Sequence, residues 1–293
     1  MTTCPSMPSQ KPERDVEKMP IRKMLVPVAL EPRDAKLLNY ACGLTSQGVR
    51  ELVVAHVVDS SGQEAPVIMR EVERARERLR EMVDPLSGCG MQIEVRVVTG
   101  TVYEEVMALA HEAAIDVICC GTEGKSFVDY LFSGSVSEDL ALKGDERTMT
   151  IRYRLLESVT DQAALAREFA RRLVVPTDFS ASATRAILSA FERPSDAIGT
   201  VHVVHALSDE SKRAEADAGM QAVLAMAEGY DAEVVCEVRS GSPAEVILGY
   251  VNDVDATGVI TGRQGRSRLG RGLLGSVSMK LMHDAPCPVV VQP

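Results

Sequence analysis

Two sets of residues in this chain have the types and spacing to hold an anion. Gly262, Gly265, Gly275 and Ser276 follow the pattern glycine, two residues, glycine, nine residues, glycine-serine, and Gly121, Gly124, Gly134 and Ser135 repeat it earlier in the chain. Glycine reaches positive φ at little cost and has no side chain, so amides at Gly262 and Gly265 can turn toward a ligand and approach it closely. Gly275 and Ser276 open a predicted helix, where unpaired N–H groups and the helix dipole favour negative charge and the hydroxyl adds a hydrogen bond. The alternative is a loop followed by an ordinary serine N-cap. Arginines fill the second set (Arg263, Arg266, Arg268, Arg271) and can pair with phosphate oxygens, with a solvated charged face as the plainer reading. The first set carries Glu123, Lys125 and Asp129 there instead, so two sites are expected, the second stronger.

The elements that position these residues come as a repeat. KMLVPVAL (Lys23 to Leu30) matches RRLVVPTDF (Arg171 to Phe179), ELVVAHVVD (Glu51 to Asp59) matches GTVHVVHALSD (Gly199 to Asp209), and IDVICCGTEGKS (Ile115 to Ser126) matches VDATGVITGRQGRS (Val254 to Ser267). Each copy alternates β-branched runs with helical stretches, the pattern of a parallel sheet covered on both faces. In the second copy the reading gives strands near 173–175, 200–205, 232–239, 257–261 and 288–292. Its helices are expected near 180–191 with Ser180 as N-cap, 209–229, from Pro243 to 250, and 276–283. The first copy is longer by an insertion in the charged helix around 70–80, and it ends in an alternating strand, TMTIRYRL (Thr148 to Leu155). Pairing of that strand with CPVVVQP in the same chain would protect both sheet edges. The expected division is an extension over 1–20, a first domain over 21–157, a linker helix over 158–170 and a second domain over 171–293.

Bulk properties agree with two soluble α/β domains. The chain has 293 residues, 45% hydrophobic and 25% charged, with net charge -10, which opposes binding to nucleic acid or anionic membrane through the global field. No apolar run suits a bilayer span or signal peptide, so a cytoplasmic location is expected. The seven cysteines show no CxxC pair and read as reduced core residues, and the histidines lack metal spacing. His56 and His205 align between copies and read as packed.

With a strand order of 3-2-1-4-5 the winding reverses between strands one and four, so Asp178 and Gly262 face one crevice, as in a mononucleotide site. VPTDFS after strand one, the glycine-serine pattern and the closing APCPVVV together resemble the universal stress proteins, in the branch that binds ATP. That resemblance implies two tandem Rossmann-like domains of the adenine nucleotide alpha hydrolase-like type, each a five-stranded parallel sheet. It also implies AMP or ATP as ligand, Mg2+ accompanying ATP, packing of the two domains as a dimer-like pair within the chain, and a role in stress survival; association of two chains is left open. Carried over by position, Asp178 beside Thr177 contacts the adenosine portion and Ala206 meets adenine through its backbone. Gly262, Gly265, Gly275 and Ser276 hold phosphates with Val277 beside them, and Thr261, Arg263 and Arg266 complete the expected nucleotide-binding set. In the first copy these roles fall to Val57, Gly121, Gly124, Gly134, Ser135 and Val136, but Ala29 replaces the acid. A binding module is expected rather than an enzyme, since no GxxxxGK[ST] motif is present. A slow ATPase or phosphotransferase and a non-binding scaffold are the alternatives.

Overall fold

A computed structural model of the chain describes residues 21–123, 139–141, 144, 146–194, 196–265 and 274–293. Its first half runs β1 (Lys23–Pro27), α1 (Asp34–Gly43), β2 (Glu51–Val58), α2 (Ala65–Val83), β3 (Gln92–Thr99), α3 (Val102–Glu112), β4 (Val117–Thr122) and β5 (Thr148–Arg152). Two short helices follow, α4 (Tyr153–Ser158) and α5 (Gln162–Arg167). The second half runs β6 (Arg172–Pro176), α6 (Ala181–Phe191), β7 (Thr200–Leu207), α7 (Arg213–Ala227), β8 (Glu233–Ser240), α8 (Pro243–Asp253), β9 (Gly258–Gly262), α9 (Ser276–Asp284) and β10 (Val289–Gln292).

The ten strands form one sheet in the order β3-β2-β1-β4-β5-β10-β9-β6-β7-β8. Each half therefore has the expected 3-2-1-4-5 order, and the two sheets fuse where their last strands meet. There β5 and β10 run antiparallel, with Val289 opposite Thr150, Val290 opposite Met149 and Val291 opposite Thr148. Thr150 Oγ1 donates to Val289 O at 3.3 Å and Arg147 Nε to Gln292 Oε1 at 2.8 Å, so side chains lock the same seam. Neither half leaves its fifth strand as an edge, which removes a site for pairing with other chains.

Two expectations change at this seam. The strand expected to reach Leu155 stops at Arg152, and Tyr153 starts a helix. It is also not half-exposed: Thr148, Met149, Thr150 and Ile151 are all buried, because a strand in mid-sheet is covered on both faces however its sequence alternates. Beyond it, the segment 158–170 expected as a linker helix forms the shorter α5, capped by Asp161 accepting from Ala164 N at 2.8 Å. The α5 segment packs on α1 so tightly that a Cβ on Gly43 would come within 2.3 Å of Ala163 O.

Strand alternation sorts the core into three clusters. Met24 and Val26, Leu173 and Val175, and Val290 face one side, where α1, α2, α6 and α7 cover them in a single core spanning both halves through Tyr40 and Phe169. Their neighbours Leu25 and Val174 face the other side, where the halves keep separate cores: Val106 of α3 and Ile118 in the first, Ile247 of α8 and Leu281 of α9 in the second. Period-two patterning thus welds the halves on one face and leaves them separate on the other. Cys42, Cys119, Cys120 and Cys287 are buried free thiols; burial pushes Cys119 and Cys287 up to about 12, so the reactive thiolate is disfavoured.

Candidate adenine-nucleotide site

The second half opens a crevice at the carboxyl ends of its strands, where the winding reverses between β6 and β9. It encloses about 290 Å³, near the lower end for small-molecule sites. Thr177, Asp178, Ala206, Thr261, Gly262, Gly265, Gly275, Ser276 and Val277 all line it, so residues 100 positions apart in sequence logic meet around one space.

Local chemistry explains each placement. Past β6 the backbone turns sharply, with Phe179 at φ 60, and Ser180 then caps α6 by accepting from Ala183 N at 3.2 Å. That turn leaves Asp178 at the mouth of the crevice; its Oδ1 accepts from Ser180 N at 3.0 Å. Its Oδ2 faces Gly265, where a Cβ would sit 2.5 Å away. Gly262 is equally constrained, since a Cβ there would lie 2.6 Å from Ser182 Oγ, a buried hydroxyl with no hydrogen-bond partner among the described residues. The glycines are thus required for close approach of the loop to α6 and to Asp178.

Three helices aim their N-termini at this space. Ala183 of α6, Ser242, Pro243 and Ala244 at the start of α8, and Gly275 to Ser278 at the start of α9 all line the crevice. N–H groups in a first turn have no intrahelical acceptor, and aligned dipoles place partial positive charge there, so the convergence favours an anion. The loop is held from behind. Arg263 N donates to Gln292 O at 2.7 Å, Gly275 N donates to Arg263 O at 2.8 Å, and Ser278 Oγ donates to Gly262 O at 2.7 Å. Arg263 itself is not among the lining residues, and Gln264 takes that place.

His205 also borders the crevice, with Nδ1 at 2.8 Å from Thr177 O and its ring 4.7 Å from that of Phe179. His56 makes the same bond to Val28 O at 2.8 Å, so both histidines tie strand two to strand one. Ser242, Pro243 and Ala244 were missed as lining residues. The signal was available, because they directly follow the third strand and ligands in open parallel sheets gather at strand ends.

In the first half only Val57 and Gly121 of the counterparts are among the described residues. Val57 borders a separate polar hollow with Leu30, His56, Arg74 and Arg78. Gly121 lies under the ring of Tyr153. Gly124, Gly134, Ser135, Val136 and Arg266 lie outside the described residues, as does the extension over 1–20. Among the described residues no three His, Cys, Asp or Glu side chains are grouped to hold a metal ion, and no helix is long and apolar enough to cross a membrane.

Residues 20–152 and 170–293 each match the universal stress protein family. The chain belongs to that family. It is 33% identical over 127 residues to a universal stress protein of Methanothermobacter thermautotrophicus, a match covering 40% of this chain and 86% of that one. Universal stress protein MJ0531 of Methanocaldococcus jannaschii is 24% identical over 159 residues, 49% of this chain and 92% of the relative. A solved universal stress protein from Archaeoglobus fulgidus superimposes with a TM-score of 0.75 at 25% identity, over 92% of this chain and 95% of that one. The match over nearly the full length of both chains extends the likeness to the tandem arrangement.

Proposed function

We propose that the crevice of the second half binds an adenine nucleotide, AMP or ATP, and that the chain acts as a nucleotide-responsive module in a stress response. One observation carries this reading: three helix N-termini and the backbones of Gly262 and Gly265 converge on a cavity that the Asp178 carboxylate also lines, against Gly265. The amide-rich end suits phosphates, and the carboxylate suits the hydroxyl donors of a ribose. Ala206 has a small side chain, which leaves room for a flat base against the strand end.

Binding needs only this cradle, whereas phosphoryl transfer needs charge stabilisation and a positioned nucleophile as well. Mg2+ would supply that stabilisation when it arrives with ATP. Among the described residues Asp178 is the one carboxylate lining the crevice, and its Oδ1 is engaged by Ser180 N. Regulation by occupancy is therefore the reading we favour over hydrolysis.

Native mass spectrometry of the freshly purified full-length chain tests the proposal. A retained mass of AMP or ATP, or its uptake on adding the nucleotide, is expected. A chain that neither carries nor takes up either one contradicts it.

A further inference from the structure

Two cysteines of the first half meet in its core, at positions where the second half holds a pair of aromatic rings. The strand register fixes the correspondence: Lys23, Glu51 and Gln92 lie side by side in the first half as Arg172, Thr200 and Glu233 do in the second. Cys42, near the end of α1, lies as far past Lys23 as Phe191, at the end of α6, lies past Arg172. Cys89 precedes Gln92 by as much as Tyr230 precedes Glu233. The backbone repeats as well, since Cys89 N donates to Leu86 O at 2.9 Å and Tyr230 N to Ala227 O at 3.1 Å. In the second half this arrangement brings the Phe191 and Tyr230 rings to 5.4 Å between centroids. The first half puts two thiols there instead.

Those thiols are in contact. Cys42 is buried, Cys89 packs against the same core cluster, and a hydrogen bond joins their side chains. Both are free, and they differ in access: Cys42 is 7% exposed, whereas Cys89 is half-buried on the turn before β3. Gly88 and Gly90 flank Cys89, and a Cβ on either would meet nothing within 4 Å, so this turn has room to shift toward the narrow geometry that a disulfide demands. Burial, and then the hydrogen bond to Cys89, raises the Cys42 thiol above its ordinary range, so the first attack on an oxidant falls to Cys89.

We infer that Cys42 and Cys89 are a redox-active pair that closes into a reversible disulfide when the chain meets hydrogen peroxide. Cys89 takes one peroxide oxygen and becomes a sulfenic acid, as the O–O bond breaks and one water leaves. The Cys42 sulfur then displaces that oxygen: the S–O bond breaks, the S–S bond forms, and the Cys42 proton departs with the oxygen in a second water. Together the two sulfurs lose two electrons, and the peroxide is reduced to two waters. The bond ties α1 to the turn before β3 and closes a loop that holds β2 and α2. It gives the first half a chemistry that the second lacks, where Phe191 and Tyr230 occupy the same positions, and it stands whether or not the second crevice binds a nucleotide.

Peroxide treatment of the folded full-length chain, followed by alkylation of the remaining thiols and peptide mapping without reductant, tests the inference. A pair of peptides linked through Cys42 and Cys89 is expected, returned to two alkylated thiols by prior treatment with dithiothreitol. In Cys42→Ser, or in Cys42→Ala should the serine variant not fold, the linked pair should vanish and a sulfenic acid at Cys89 should be trapped by dimedone. Both cysteines alkylated after peroxide, Cys89 oxidised to a sulfinic acid while Cys42 stays a thiol, or a bond from either residue to a different cysteine would overturn the inference.

Discussion

The backbone of Gly265 lies against the carboxylate of Asp178, close enough that a Cβ on the glycine would sit 2.5 Å from Oδ2. A loop that follows the fourth strand of its half is thus in direct register with an acid that follows the first. This contact brings Asp178, Gly262 and Gly265 onto one space at the switch point.

Removing the acid tests the nucleoside end. Asp178→Ala deletes an acceptor for ribose hydroxyls, and a hydrogen bond to a charged group contributes about 1.5–3 kcal/mol. Affinity for AMP and ATP should fall together by about tenfold or more, read by competition against a fluorescent adenine nucleotide. A loss confined to one nucleotide, or none, speaks against the role given to Asp178.

The packing of Gly121 under the Tyr153 ring makes a stability prediction. Gly121→Ala forces a methyl into the Tyr153 ring, 2.3 Å from its Cζ, and overpacking of this kind costs about 1–3 kcal/mol. Urea unfolding should show that loss. If instead the variant unfolds like the wild type, Tyr153 does not cover Gly121.

The seam between the halves is equally exposed to test. Val290 is 0% exposed and opposite Met149, in the core shared by both halves. Val290→Asp places an unpaired charge there, with an expected loss of at least about 3 kcal/mol. A chemical denaturation midpoint unmoved by that change would mean that the ten strands do not form one sheet.

Acid should weaken the second half through His202. Burial holds its pKa below the ordinary 6.5, with Arg172 lowering it further and Glu233 opposing; its Nδ1 lies 3.0 Å from the Tyr250 hydroxyl. A depressed folded-state value means that the unfolded chain takes up the proton first. The stability from the neutral ring is therefore whole above pH 6.5 and is lost as pH falls through the folded-state value. Thermal unfolding from pH 7.5 to 5 should show a steeper decline for the wild type than for His202→Asn, and equal slopes would contradict it.

The strands, their order and the second crevice were legible because they rest on local signals: β-branched runs, the Ser180 cap, Pro243 at a first turn, and glycines at fixed spacing after a strand. The pairing of β5 with β10 was legible too, as the partner that protects two exposed edges. The end of β5 at Arg152 was not, since Tyr-Arg-Leu continues the alternation and only the packing of Tyr153 on Gly121 and Asp34 turns the chain into a helix. Asp34 escaped notice for a related reason. In sequence it looks like an ordinary acid in a helix's first turn, yet Ala29 N and the Tyr153 hydroxyl both donate to it, the latter from more than a hundred residues away. Arg263 was assigned to phosphate by its charge, yet its backbone serves the loop's support and Gln264 lines the space.

The most direct test of the central claim is calorimetric titration of AMP and ATP into the full-length chain and into Gly265→Ala combined with Ser276→Ala. The account predicts saturable binding to the wild type and an affinity at least about tenfold weaker, about 1.4 kcal/mol, in the double variant with its fold intact. Equal affinity in the two proteins would show that the glycine-serine cradle is not where the nucleotide sits.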